Sequence, residues 1–70
     1  MQGETKERLS TLTAPYGREV RLDDVRFESG MRLLRVTIRE GMRITALDID
    51  ADTALAWAKA MTRWVEDAQE

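Results

Sequence analysis

Residues 18–49 read REVRLDDVRFESGMRLLRVTIREGMRITALDI, and this stretch decides the fold. It contains three runs in which apolar and polar residues alternate, which is typical of half-buried strands. The runs are Arg18 to Glu28, Met31 to Arg39 and Arg43 to Ile49. Glycine-containing loops join them, as in β-hairpins. The stretch therefore predicts a three-stranded antiparallel β-meander.

The loops set the predicted register. With Ser29-Gly30 as a two-residue loop, Val25 lies opposite Leu34, and strict continuation would place Asp23 in the core. A β-bulge at Asp23-Asp24 avoids this burial, because an extra residue restores the facing of the strand. Glu40-Gly41-Met42 is taken as a three-residue second loop. The predicted core face is then Val20, Leu22, Val25, Phe27, Leu34, Val36, Ile38, Ile44 and Ala46, and the opposite face includes Arg21, Arg26, Arg35, Thr37, Arg39, Arg43 and Thr45.

The last element predicted is a helix from Ala51 to Ala68. Asp50 is a good N-cap, and Asp52 in the first turn suits the positive end of a helix. An apolar stripe with i, i+3, i+4 spacing follows, formed by Ala54, Trp57, Ala58, Met61, Trp64, Val65 and Ala68. The fold class is thus α+β: a βββα domain over residues 18–70, with the helix packed on one sheet face. Residues 1–17 are expected to be a polar lead-in, either a short helix over Glu4 to Leu12 or disordered.

The composition limits the chemistry. The 70 residues are 43% hydrophobic and 34% charged, and they include no cysteine and no histidine. Disulfides, Cys/His zinc sites, thiol nucleophiles and imidazole bases are therefore absent. A chain of this length has a marginal core, so small domains often add a partner subunit. We expect a homodimer in the cytoplasm, without a signal peptide or a contact with the membrane.

Two acidic motifs are candidate sites. Asp48-Ile49-Asp50-Ala51-Asp52 resembles the start of a calcium loop, but Thr53 and Lys59 stand where that loop needs glycine and glutamate. Asp23-Asp24 is a tight carboxylate pair that could serve acid–base catalysis, but solvated acids at a bulge are the preferred interpretation. No catalytic residue, metal ligand or cofactor site is predicted, and the chain is expected not to be an enzyme.

The helix stripe carries more apolar surface than three short strands can cover. Large exposed apolar patches are rare on monomers, so the remainder is expected to be covered either by Tyr16 and the N-terminal segment or by a second subunit. The residues predicted to form this dimer interface are Leu55, Trp57, Met61 and Trp64. The leading hypothesis is a non-catalytic homodimeric interaction module, with an unidentified protein as a possible further partner.

Val36-Thr37-Ile38-Arg39-Glu40-Gly41, followed by Leu47-Asp48-Ile49-Asp50 and a Trp-bearing helix, resembles small uncharacterised proteobacterial proteins known only as a domain of unknown function. Residues 31–66 are also similar to the positive-cofactor-four type of coactivator. That resemblance implies a dimer and single-stranded nucleic-acid binding on the sheet, with Arg35, Arg39 and Arg43 as phosphate contacts. Nucleic-acid binding through the arginine-rich face is therefore the alternative function, although this face lacks aromatic residues on which bases stack.

Overall fold

The computed structural model describes residues 3–69, which form a four-stranded antiparallel sheet followed by one helix. The strands follow sequence order across the sheet. Their bounds are β1 Glu4–Ala14, β2 Arg18–Phe27, β3 Arg32–Glu40 and β4 Arg43–Ile49, and the helix α1 spans Ala51–Ala68. The α+β class and the C-terminal helix are confirmed. The number of strands is corrected from three to four.

The additional strand comes from the segment interpreted as a lead-in. Residues Glu4–Ala14 are not helical; they pair along β2, and Leu9 forms a bulge between Arg8 and Ser10. A single 3-10 turn over Pro15–Gly17 then reverses the chain. An edge strand of the sheet is thus formed by a segment whose polar composition did not indicate a strand. Met1 and Gln2 of the predicted lead-in, and Glu70 of the predicted domain, lie outside the described residues.

The hairpin between β2 and β3 has a three-residue loop, where two residues were predicted. The Phe27 amide donates to the Met31 carbonyl (2.8 Å) and Gly30 donates back to Phe27 (2.9 Å), with Gly30 at φ +97°. Three-residue loops of this kind place a glycine in the left-handed region before the second strand. Val25 consequently pairs with Leu33, and the pairing stays regular through Leu22↔Val36. No bulge occurs at Asp23-Asp24, because the longer loop already sets the register.

The loop between β3 and β4 is shorter than predicted, with two residues where three were predicted. Glu40 pairs with Arg43, so the loop is only Gly41-Met42, and Gly41 has φ +62° at its first position. A glycine with positive φ at that position is typical of a two-residue type II′ loop. The register is therefore one residue away from the prediction. A slip of one residue exchanges the two faces of a strand, so Ile44 and Ala46 leave the predicted core face.

The observed register defines two faces, since cross-strand partners share a face. The apolar face is formed by Leu12, Val20, Leu22, Leu34, Val36, Ile38, Leu47 and Ile49. The polar face is formed by Thr11, Thr13, Glu19, Arg21, Asp23, Val25, Arg35, Thr37, Arg39, Ile44, Ala46 and Asp48, and Phe27 lies at the end of that face. Val25 and Phe27 thus lie on the face opposite to the predicted one, although Val25 is buried as predicted.

The helix begins immediately after β4. The Asp50 carboxylate accepts from the Thr53 amide (2.9 Å), which confirms the predicted N-cap. The molecule extends 51 × 30 × 15 Å, and among residues 3–69 only Val25 and Ile49 are buried apolar residues. Within the same range, no helix has the length and apolar character needed to cross a membrane.

Candidate interaction surface

The helix lies over the apolar face but leaves an open cleft of about 310 Å³ between the two layers. Every side chain that lines this cleft is apolar. The sheet contributes Leu12, Val20, Leu22, Leu34, Val36 and Ile49, and the helix contributes Ala54, Trp57, Ala58 and Met61. Water in such a cleft has no polar side chain to bond, so covering it is favourable.

The four residues predicted for a dimer interface fall in different places. Trp57 and Met61 line the cleft, where they are 38% and 62% exposed. Trp64 continues the same stripe one turn further along the helix and is 71% exposed. Leu55 lies about 120° around the helix axis from Met61, given 3.6 residues per turn. The structure thus brings three of the four onto one helix face and separates Leu55 from them.

Leu12 belongs to this surface and was missed. It lies on β1, the strand interpreted as a lead-in, and it pairs with Val20 on the apolar face. The alternation of threonine with leucine and alanine over residues 11–14 was the signal for it, because β-branched residues in a period of two favour a strand. Ile49 was missed for a different reason, since it depends on the register of β4.

The polar face carries a row of alternating charges across all four strands. Arg8 pairs with Asp23, Asp23 with Arg35, and Arg35 with Asp48 in the sheet register. Arg35 donates to both carboxylate oxygens of Asp48, at 2.7 and 3.0 Å, and to Glu4 at 3.1 Å. The Arg35 bond holds the pKa of Asp48 below its usual range. The charges of this row compensate one another within the sheet.

Asp23 and Asp24 are both buried, with 2% and 7% of their surface exposed. Because they are consecutive strand residues, they face opposite sides of the sheet. Asp23 accepts from Arg8, whereas Asp24 accepts from Arg32 (2.8 Å) and Arg26 (2.9 Å). The Arg32 bond, followed by the Arg26 bond, lowers the pKa of Asp24. The two carboxylates therefore do not form a shared acid–base pair.

The three arginines predicted as phosphate contacts do not share a face. Arg35 and Arg39 lie on the polar face, and Arg43 lies on the opposite side, beside Glu40 in the register. The prediction that they form one surface is wrong, because the loop between β3 and β4 is one residue shorter than predicted and the shifted register exchanges the two faces of β4. Arg35 is also engaged by Asp48 and Glu4, and its pKa is raised by the Asp48 bond.

The acidic segment after β4 is used by the fold. Asp48 pairs with Arg35, and Asp50 caps the helix, where the bond from Thr53 lowers the pKa of its carboxyl. Among residues 3–69, no group of three or more acidic side chains is arranged to hold a metal ion.

The chain was compared with known proteins. No curated protein matches it, and no solved structure matches it. One family model matches residues 3–67, from the residue before β1 to the last turn of α1. The matched unit therefore includes β1. The chain therefore belongs to DUF6967, a family of unknown function.

Proposed function

We propose that this protein is a non-catalytic interaction module that works as a homodimer. The surface proposed to be covered in the dimer consists of the apolar cleft and the helix stripe of Trp57, Met61 and Trp64. The observation that carries the proposal is the excess of exposed surface over that of a folded monomer of the same mass.

The accessible surface of the chain is 5754 Å² for a mass of 8.0 kDa. A folded monomer of this mass exposes about 4,500 Å² according to the usual scaling of surface with mass. The radius of gyration points the same way: it is 14.3 Å, against about 11 Å for a compact domain of 70 residues. The isolated chain is thus more open than a self-sufficient small domain.

The size of the excess fits a subunit interface. About 1,300 Å² on each of two copies gives roughly 2,600 Å² in total, which is within the range of obligate homodimers. A small apolar ligand in the cleft would cover the cleft alone and leave Trp64 exposed. A second copy supplies an apolar surface of the same extent and needs no further component.

The acidic side chains support a role without catalysis. A general acid needs a carboxyl whose pKa is raised toward neutrality, usually by burial without a cation. Arginines engage Asp23 and Asp24, and the pKa values of Asp24 and Asp48 are lowered. The carboxylates of Asp24 and Asp48 therefore stay ionised at neutral pH, and all three serve the sheet as ion-pair partners.

Binding of single-stranded nucleic acid receives less support from the polar face. Its row of four charges is internally compensated, and Arg43 lies on the other side of the sheet. Phosphate binding depends on cations free to replace counterions, and a compensated row offers few of them.

The test is the mass of the protein in solution, measured by light scattering over a range of concentrations. We expect twice the 8.0 kDa chain mass. Met61→Lys places an ammonium in the proposed interface and should raise the dimer dissociation constant at least roughly 100-fold, because an unpaired buried charge costs several kcal/mol.

Ala56→Lys is the matched control, since it introduces the same side chain on the exposed, opposite side of α1. It should leave the dissociation constant within about threefold of the wild type, as most surface substitutions do. A wild-type protein that stays monomeric at high micromolar concentration would reject the proposal. So would equal weakening by both variants.

A further inference from the structure

The apolar stripe of α1 is longer than the cleft that it lines. The cleft ends at Met61, but the stripe continues through Trp64, Val65 and Ala68. Trp64 and Val65 are 71% and 43% exposed. We call these three residues the overhang. A tryptophan in this position costs more to leave in water than almost any other side chain, so the overhang requires a cover of its own.

The sheet of the same chain is poorly placed to cover the overhang. A single residue, Asp50, connects β4 to α1, and its carboxylate and carbonyl bond the Thr53 and Ala54 amides (both 2.9 Å). Ile49, the preceding residue, is buried in the sheet. A one-residue connection fixed on both sides sets the direction of the helix, so the overhang cannot swing down without breaking the cap.

We infer that the overhang of each helix packs into the apolar cleft of a second copy of the chain, and that the two copies do this reciprocally. This inference rests on the proposed homodimer and specifies its interface. A two-fold axis allows this arrangement, because a single symmetric interface fills both clefts and covers both overhangs. It also places Trp64, the most exposed tryptophan, in a fully desolvated pocket, where aromatic residues contribute most to binding.

The absence of cysteine allows a direct test by crosslinking. Ser10 lies on the apolar face beside Leu22, and Thr11, the next residue, lies on the polar face beside Arg21. Chains carrying only Ser10→Cys are mixed with chains carrying only Val65→Cys, refolded together and treated with a short bismaleimide. Every 10–65 product then joins two different chains. The matched control replaces Ser10→Cys with Thr11→Cys.

We expect the 10–65 product to exceed the 11–65 product by roughly tenfold, because adjacent strand residues point to opposite faces. Thr11 is the more exposed of the two residues, so a bias in reactivity works against this result. The mass of each variant is measured first, and Ala68→Cys replaces Val65→Cys if the latter is monomeric.

The outcomes separate the two proposals. Dimeric variants that give equal 10–65 and 11–65 yields, or that give only 65–65 products, overturn the reciprocal packing and leave the homodimer in place. A monomeric wild-type chain overturns both. A preferential 10–65 product from dimeric variants supports both.

Discussion

The row Arg8, Asp23, Arg35 and Asp48 shows what individual residues contribute beyond composition. All four residues can be read from the sequence, but no sequence pattern predicts that they lie side by side in the sheet. Their alignment requires the strand identity of β1 and the register of both other hairpins. Arg35, a predicted phosphate contact, lies in this row between Asp23 and Asp48. Its bonds to Asp48 and Glu4 hold β3 to both edges of the sheet.

Asp48 makes the stability of the fold sensitive to acid. Its folded-state pKa is lowered by Arg35, so the pair stabilises the folded state above the ordinary aspartate value of about 3.9. That stability is lost as the pH falls through the lowered pKa. Asp48→Asn should cost about 1 kcal/mol at pH 7 and flatten the loss of stability below pH ~4.

Chemical denaturation at fixed chain concentration, from pH 7 to pH 2.5, measures this effect. Asp67→Asn on the exposed side of α1 is the control and should reproduce the wild-type profile. An Asp48→Asn profile parallel to that of the wild type would show that the Arg35 pair contributes nothing to the acid sensitivity.

The elements differ in how far the sequence determined them. The helix was predicted with its bounds and its cap, because an i, i+3, i+4 stripe and Asp50 are local signals. The strands β2, β3 and β4 were placed within about one residue at each end. The predicted faces were wrong in β4 and at Val25 and Phe27 of β2, because loops of two and three residues look alike in sequence and a difference of one residue exchanges the two faces of a strand. The strand β1 was not predicted, because for much of its length its residues pair with residues that are 12 or more positions away in the sequence.

Gly30 is the residue on which the hairpin between β2 and β3 depends. Its φ of +97° is unfavourable for any residue with a Cβ, although the space around it is open. Gly30→Ala should therefore cost about 1–2 kcal/mol through backbone strain alone. Gly30→Asn should cost less, since asparagine tolerates positive φ better. Equal unfolding midpoints for wild type and Gly30→Ala in urea would contradict this account of the loop.

Residues 3–69 leave much of their apolar surface uncovered, and the proposed dimer would link folding to association. Two inner β-strands, two edge strands and a helix together bury few residues fully, among those the structure describes, and the shape is long and thin. In the proposed dimer a second copy completes the core, so folding is expected to be bimolecular and stability to rise with chain concentration. Sequence reasoning anticipated the surplus of apolar surface on the helix, but the cleft and the overhang require the direction of α1 relative to the sheet.

This coupling predicts a melting temperature that depends on concentration. For a two-state dimer of 140 residues, a tenfold increase in chain concentration adds about 1.4 kcal/mol, which corresponds to a rise of about 5 °C. Calorimetry or circular dichroism at three concentrations a decade apart measures it directly. Met61→Lys should unfold at a lower temperature than the wild type at each of the three concentrations, whereas Ala56→Lys should match the wild type. A wild-type melting temperature that stays constant over this range would mean that the open chain is stable alone, and the uncovered cleft would then need an occupant other than a second copy.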